Sequence, residues 1–132
     1  MTTTTVDRLL SALASGDGVP PELFAPDALL DATVPDWRFT LRGADRIAWQ
    51  YSYWCSEPAS FEELERLPVE GGEVVTYLIT WSKNGVPHAA HHCHRLRFDA
   101  EGRIASDRFF CGGQWDAARL AEMAAAAAEH AR

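Results

Sequence analysis

Apolar residues recur along the chain with two different periods. From about Thr4 to Ser15, Val6, Leu9, Leu10 and Leu13 share one stripe at helical spacing, and Gly16 supplies a stop. Pro20-Pro21-Glu22 opens a short second helix expected to end near Pro26. The run from Asp27 to Pro35 alternates weakly, as a strand does, and Trp37 to Leu41 reads as its neighbour. Gly43-Ala44-Asp45 begins a third helix reaching about Cys55, with Ile47, Tyr51 and Trp54 on one face. Strand-like runs then cover Phe61 to Val69, Val74 to Trp81, His88 to Phe98 and Arg103 to Cys111. Turn signals at Gly71-Gly72, Asn84-Gly85 and Glu101-Gly102 separate them. An Ala-rich helix from Trp115 to His130, with Leu120 and Met123 toward the core, closes the pattern. This order is an α+β plan, a curved antiparallel sheet around helices with an internal pocket, in one domain spanning residues 1–132.

Strand phase indicates which side chains enter that pocket. Between His88 and Phe98, Leu96 and Phe98 are the apolar members while Arg95 and Arg97 are charged, so the even positions face inward. His88, Ala90, His92 and His94 then lie on the core side, with Ala89, His91 and Cys93 opposite. On the next strand both faces carry apolar residues. If Asp107, Phe109 and Cys111 point inward, Ser106, Arg108 and Phe110 point out. The short turn Asp99-Ala100-Glu101-Gly102 makes the two strands a hairpin, which puts Asp107 one strand over from His92 and His94. A carboxylate beside an imidazole in an apolar pocket is a general acid/base device. The plainer alternatives are a satisfied core histidine at His94 and a structural ion-pair member at Asp107.

Composition narrows the class of partner. The 132 residues carry a net charge of −7, and Lys83 is the sole lysine, so the clustered basic surface that nucleic acid requires is absent. The stretch from Met1 to Val6 is a polar Thr run with none of the marks of a signal peptide. The apolar run Ala124 to Ala128 is far too short for a membrane span. Cys55, Cys93 and Cys111 are odd in number and widely spaced, which suits a reducing, cytoplasmic setting. Four histidines fall in His88-Ala89-Ala90-His91-His92-Cys93-His94, yet alternation splits them between two faces. With no metal-ligand spacing present, no metal is expected. Cys111, beside Gly112-Gly113, reads as pocket lining, and Asp31 as an outward or rim residue.

Several segments resemble the NTF2-like superfamily, the cone fold shared by ketosteroid isomerases, scytalone dehydratase and SnoaL-like polyketide cyclases. They are Leu23-Phe24-Ala25-Pro26-Asp27-Ala28, Gly43-Ala44-Asp45-Arg46-Ile47, Asn84-Gly85-Val86-Pro87 and Arg97 through Ile104. The resemblance implies that His94 stands where ketosteroid isomerases have an oxyanion-hole aspartate, and Tyr51 where they have a pocket tyrosine. It also implies that Ala32 replaces their general base and Leu9 a tyrosine, which disfavours steroid isomerisation. SnoaL-like cyclases place an Asp on the last strand near a His on the preceding one, as Asp107 and His94 are placed. The resemblance therefore implies a cofactor-independent aldol-type ring closure or isomerisation of a polyketide-like or other hydrophobic carbonyl compound. In it Asp107 would take the proton, while His94, aided by His92 or Tyr51, would serve the oxygen. Tyr51, Trp49, Phe109, Cys111, Phe24 and Ala32 are expected around the substrate. A dehydratase and a non-catalytic small-molecule-binding domain are the alternatives. A homodimer is expected from the superfamily's habit of packing the open sheet face, with Phe110, Arg95 and Arg97 contributing.

Overall fold

The structure is a computed structural model and describes residues 4–130; the two ends of the expected 1–132 domain lie outside the described residues. Helix α1, Thr5–Ser15, starts at a capping box in which Thr4 accepts from the Asp7 backbone and Asp7 accepts from that of Thr4. Its stripe of Val6, Leu9, Leu10 and Leu13 is buried as the spacing predicts. Gly16 ends the helix at φ 73°, in the left-handed region. A Cβ there would come within 2.6 Å of the Glu57 carbonyl carbon and 2.7 Å of the Pro58 nitrogen. Gly16→Ala therefore meets a steric clash as well as backbone strain. We expect it to cost roughly 1–3 kcal/mol in urea unfolding, with a neutral result contradicting the close approach.

The expected second helix shrinks to one 3-10 turn, Pro21–Leu23, and strand β1 already starts at Phe24 and runs to Val34. The prolines set that turn's backbone angle, but the burial of Phe24 and Ala25 draws the chain into the sheet at once. Strand β2 is Trp37–Arg42, helix α2 is Ala44–Trp54, and β3 to β6 are Ala59–Val69, Gly72–Lys83, Val86–Phe98 and Ile104–Asp116. They form one sheet in the order β2-β1-β6-β5-β4-β3, parallel only at β1/β6. Register shifts in β3, β1/β6 and β5/β6 bend it. The result is an α+β cone: a curved, unclosed mixed sheet with α1 and α2 on its concave side.

The strand phases hold where they were read. Ala90, His94 and Leu96 of β5 are buried, and so are Asp107 and Phe109 of β6, whereas Arg95, Arg97, Arg108 and Phe110 are exposed. Ala89, expected outside, is buried too, because the register shifts between Ala89 and Ala90. The last helix, α3 (Ala117–His130), departs most from expectation. It contains no buried residue: Leu120 is half-buried and Met123 is 40% exposed, not turned to the core. Its main contacts are with β6 and β5, at one end of the sheet. Among the described residues no helix is long and apolar enough to cross a membrane.

Candidate active site

Helix α2 crosses the concave face, and its 3.6-residue period decides which aromatics turn in. Tyr51 is buried and Trp54 packs edge-on against it, at 5.7 Å between ring centroids. Trp49 lies on the other side of the same helix, 65% exposed and stacked flat on Tyr53 at 5.4 Å. Trp49 is therefore not a pocket residue, which corrects the sequence expectation. Phe24 also lies outside the cavity, buried in the core and stacked 6.4 Å from Tyr51. Ala32 is buried between Phe39 of β2 and Phe109 of β6, both of which reach the cavity, while its own short methyl does not.

The cavity measures about 810 Å³ and is mostly apolar. Leu13, Ile79, Tyr51, Tyr77 and Phe109 supply its buried surface, and the exposed Trp37 and Tyr53 mark its rim. Trp54, Trp81, His92, Cys55 and Cys111 complete the inner wall. Burial pushes the Cys55 thiol up to about 12, with Cys111 adding to it, and burial raises the Cys111 thiol as well. Neither is an activated nucleophile at neutral pH.

His94 and Asp107 meet as the strand phase predicts. The Nδ1 of His94 lies 3.1 Å from Oδ2 and 3.3 Å from Oδ1 of Asp107, and both residues are essentially inaccessible. Yet neither lines the cavity. They lie behind it, and Tyr51 and Tyr77 stand between them and the open space. Tyr51 donates to Asp107 Oδ2 at 2.5 Å, and the Tyr77 hydroxyl is 2.7 Å from His94 Nε2. His92 Nδ1 in turn lies 3.2 Å from the Tyr77 oxygen. Five side chains from α2, β4, β5 and β6 thus form one chain of hydrogen bonds: His92, Tyr77, His94, Asp107, Tyr51.

Proton accounting along this chain gives it a direction. With Asp107 accepting from Tyr51 and from His94 Nδ1–H, His94 Nε2 is an acceptor and Tyr77 donates to it. The Tyr77 oxygen then accepts from His92 Nδ1–H, which leaves His92 Nε2 as a bare lone pair. No buried polar side-chain atom among the described residues lacks a partner; Nε2 of His92 bonds none of those residues and so keeps some access to solvent, on a ring that lines the cavity. Burial raises the Tyr51 and Tyr77 hydroxyls well above 10, Asp107 adding to both, so both phenols stay protonated. Each spends its proton on the buried pair. Of the chain's polar atoms, His92 Nε2 is the acceptor left without a partner among the described residues.

Burial, then the neighbouring His94 and His91, lowers His92 to about 3. The unfolded chain takes up this proton near pH 6.5, whereas the folded ring refuses it until about pH 3. The resulting stability is complete above pH 6.5 and is lost as pH falls toward 3, by a few kcal/mol. In urea unfolding across this window, His92→Leu is expected to show a shallower pH dependence than the parent. Parallel curves would contradict the assignment.

Tyr77 was not among the sequence candidates, and it is the residue that joins the two histidines. The hairpin register contained the signal: the turn Asn84-Gly85 pairs Lys83 with Val86, and counting outward brings Tyr77 opposite His92. Among the other histidines, His91 is exposed on the outer face, and His88 bonds the Val86 carbonyl and stacks on Trp81. Asp31, expected outward or at the rim, lies on the outer face of β1 opposite Arg108, held by Arg38 in a bidentate pair.

No protein-family model matches the sequence, and no curated protein does. Solved structures do match. An NTF2-like protein from Anabaena variabilis superposes with a TM-score of 0.70 at 14% identity, over 83% of this chain and 85% of that one. The fold is NTF2-like. An LEH-like epoxide hydrolase of Mycobacterium tuberculosis matches at a TM-score of 0.61 and 17% identity, over 81% of this chain and 79% of that one. A protein with a cystatin-like fold from Silicibacter pomeroyi matches at 0.62 and 16% identity, over 85% and 76%. At such identities the likeness concerns the NTF2-like fold alone, and function must be argued from the side chains in this cone.

Proposed function

We propose that this NTF2-like chain is an acid/base enzyme that moves a proton on a hydrophobic carbonyl compound, in an isomerisation or an aldol-type ring closure. One observation carries the reading. A hydrogen-bonded chain of two histidines, two tyrosines and an aspartate ends at a bare imidazole nitrogen on the floor of an apolar cavity of about 810 Å³. A fully satisfied buried network is costly to assemble for stability alone, since apolar residues of similar volume would fill the core as well. The cavity has the size of small-molecule sites, and its aromatic walls suit a flat, largely apolar ring system. The same fold supports an enzyme in the M. tuberculosis neighbour, named as an epoxide hydrolase.

In this reading the roles differ from those expected from the sequence. Asp107 and His94 are out of a substrate's reach, so His92 is the group that touches it, and Tyr51 and Tyr77 flank the reacting atoms. Proton exchange at the carbon next to a carbonyl tests this without knowledge of the natural substrate. 2-Tetralone, 1-tetralone and flavanone would be incubated with the protein in D2O and followed by 1H NMR. Exchange above the buffer rate on at least one of them is expected. Buffer-rate exchange on all three, at protein concentrations that bind them, would count against the reading.

A further inference from the structure

We infer that His92 draws its basicity from a partner it does not touch: a proton taken at His92 Nε2 is relayed through the Tyr77 hydroxyl and comes to rest on His94, beside Asp107. The inference rests on the proposed acid/base reading and specifies how the site performs it. His92 alone is a poor base, because its ring is nearly enclosed and faces other histidines. His94 differs in one respect that matters, since a carboxylate stands 3.1 Å from its Nδ1. A positive charge on His94 is compensated where it forms, and one on His92 is not.

The steps balance. The substrate's bond to hydrogen breaks and a new N–H bond forms at His92 Nε2. The Nδ1–H bond of His92 breaks and that proton passes 3.2 Å to the Tyr77 oxygen. Tyr77 gives its own proton across 2.7 Å to His94 Nε2. Tyr77 gains one proton as it loses another and is never a phenolate, in keeping with a hydroxyl whose acidity burial suppresses. His92 ends neutral, with its tautomer reversed and Nε2–H now a donor facing the substrate oxyanion or enolate. His94 ends as imidazolium against the Asp107 carboxylate, and return of the proton runs the same path backward. The substrate class follows: a compound whose acidic O–H, or C–H next to a carbonyl, can be presented to a lone pair at the end of an apolar cavity. The groups facing this relay are Tyr51 and Cys55 from α2 and its end, Tyr77 from β4, and Asp107 and Cys111 from β6. Cys93 and His91 lie on the far side of β5.

Histidine-selective 15N labelling of the whole chain, with two-bond 1H–15N spectra across an acid titration, tests this on the free protein. At neutral pH both His92 and His94 are expected as Nδ1–H tautomers. The first proton the pair accepts should make His94 doubly protonated and, in the same step, switch neutral His92 to Nε2–H. In Tyr77→Phe the switch of His92 to Nε2–H should be lost, a readout that a merely structural tyrosine would not move. Should that variant fail to fold, the parent titration decides alone. A doubly protonated His92 appearing first, or a His92 already Nε2–H at neutral pH, overturns the relay. A switch observed without 2-tetralone exchange would leave the relay standing and remove the enzymatic reading; exchange that requires His92 without the switch would do the reverse.

Discussion

His94→Leu is expected to cost the fold about 3–5 kcal/mol, measured by urea or guanidinium unfolding. His94 is the hub of the buried network, wholly inaccessible and bonded on one side to Asp107 and on the other to Tyr77. Its removal leaves a buried carboxylate with only the Tyr51 hydroxyl, and leaves the Tyr77 hydroxyl with His92 as its one remaining partner among the described residues. The cost comes from the groups left behind, not from the histidine's own packing, since leucine is of similar bulk. The double variant His94→Leu/Asp107→Leu removes the orphaned charge and should recover part of the loss. A single variant within about 1 kcal/mol of the parent would show that the pair is not held as described.

The second large effect concerns proton exchange on a carbonyl probe. His92→Leu should lower the rate by about 10²–10⁴, the usual range for removal of a positioned acid/base group. Its stability near neutral pH should stay close to the parent's, because the Tyr77 hydroxyl still bonds His94 after His92 is gone. Asp107→Asn should also slow exchange, though Asp107 touches no substrate, since it removes the negative charge that compensates His94. Equal rates in parent and His92→Leu would take His92 out of the chemistry.

The sequence shows the fold through its periodicities, and it shows half of the site. The inward phase of His92 and His94 follows from the alternation of Leu96 and Phe98 against Arg95 and Arg97, and the structure agrees from His94 to Arg97, where burial and exposure alternate. Asp107 could not be phased from its own strand, because Phe109 and Phe110 are both apolar. Pairing with β1 and β5 decides it, placing Asp107 beside Leu30 and Leu96. Depth is a different matter from direction. Alternation shows that His94 points inward but not that Tyr51 and Tyr77 close over it, which depends on where α2 lies across the sheet. For the same reason Trp49 and Trp54 could be told apart only by the helical phase around Tyr51. The last helix departs from its expected burial because an Ala-rich amphipathic pattern reports a propensity for burial, while burial itself needs a facing surface, and no residue of α3 is buried in the described chain.

The claim at the centre is that the cavity ends at a proton acceptor on His92. A crystal structure with 2-naphthol, the flat enol counterpart of 2-tetralone, tests it most directly. The account predicts the naphthalene ring between the aromatic walls with its hydroxyl donating to His92 Nε2, at about 2.6–3.2 Å. A naphthol bound with its hydroxyl toward the Trp37 and Tyr53 rim, or an empty cavity beside a saturating ligand, would contradict it.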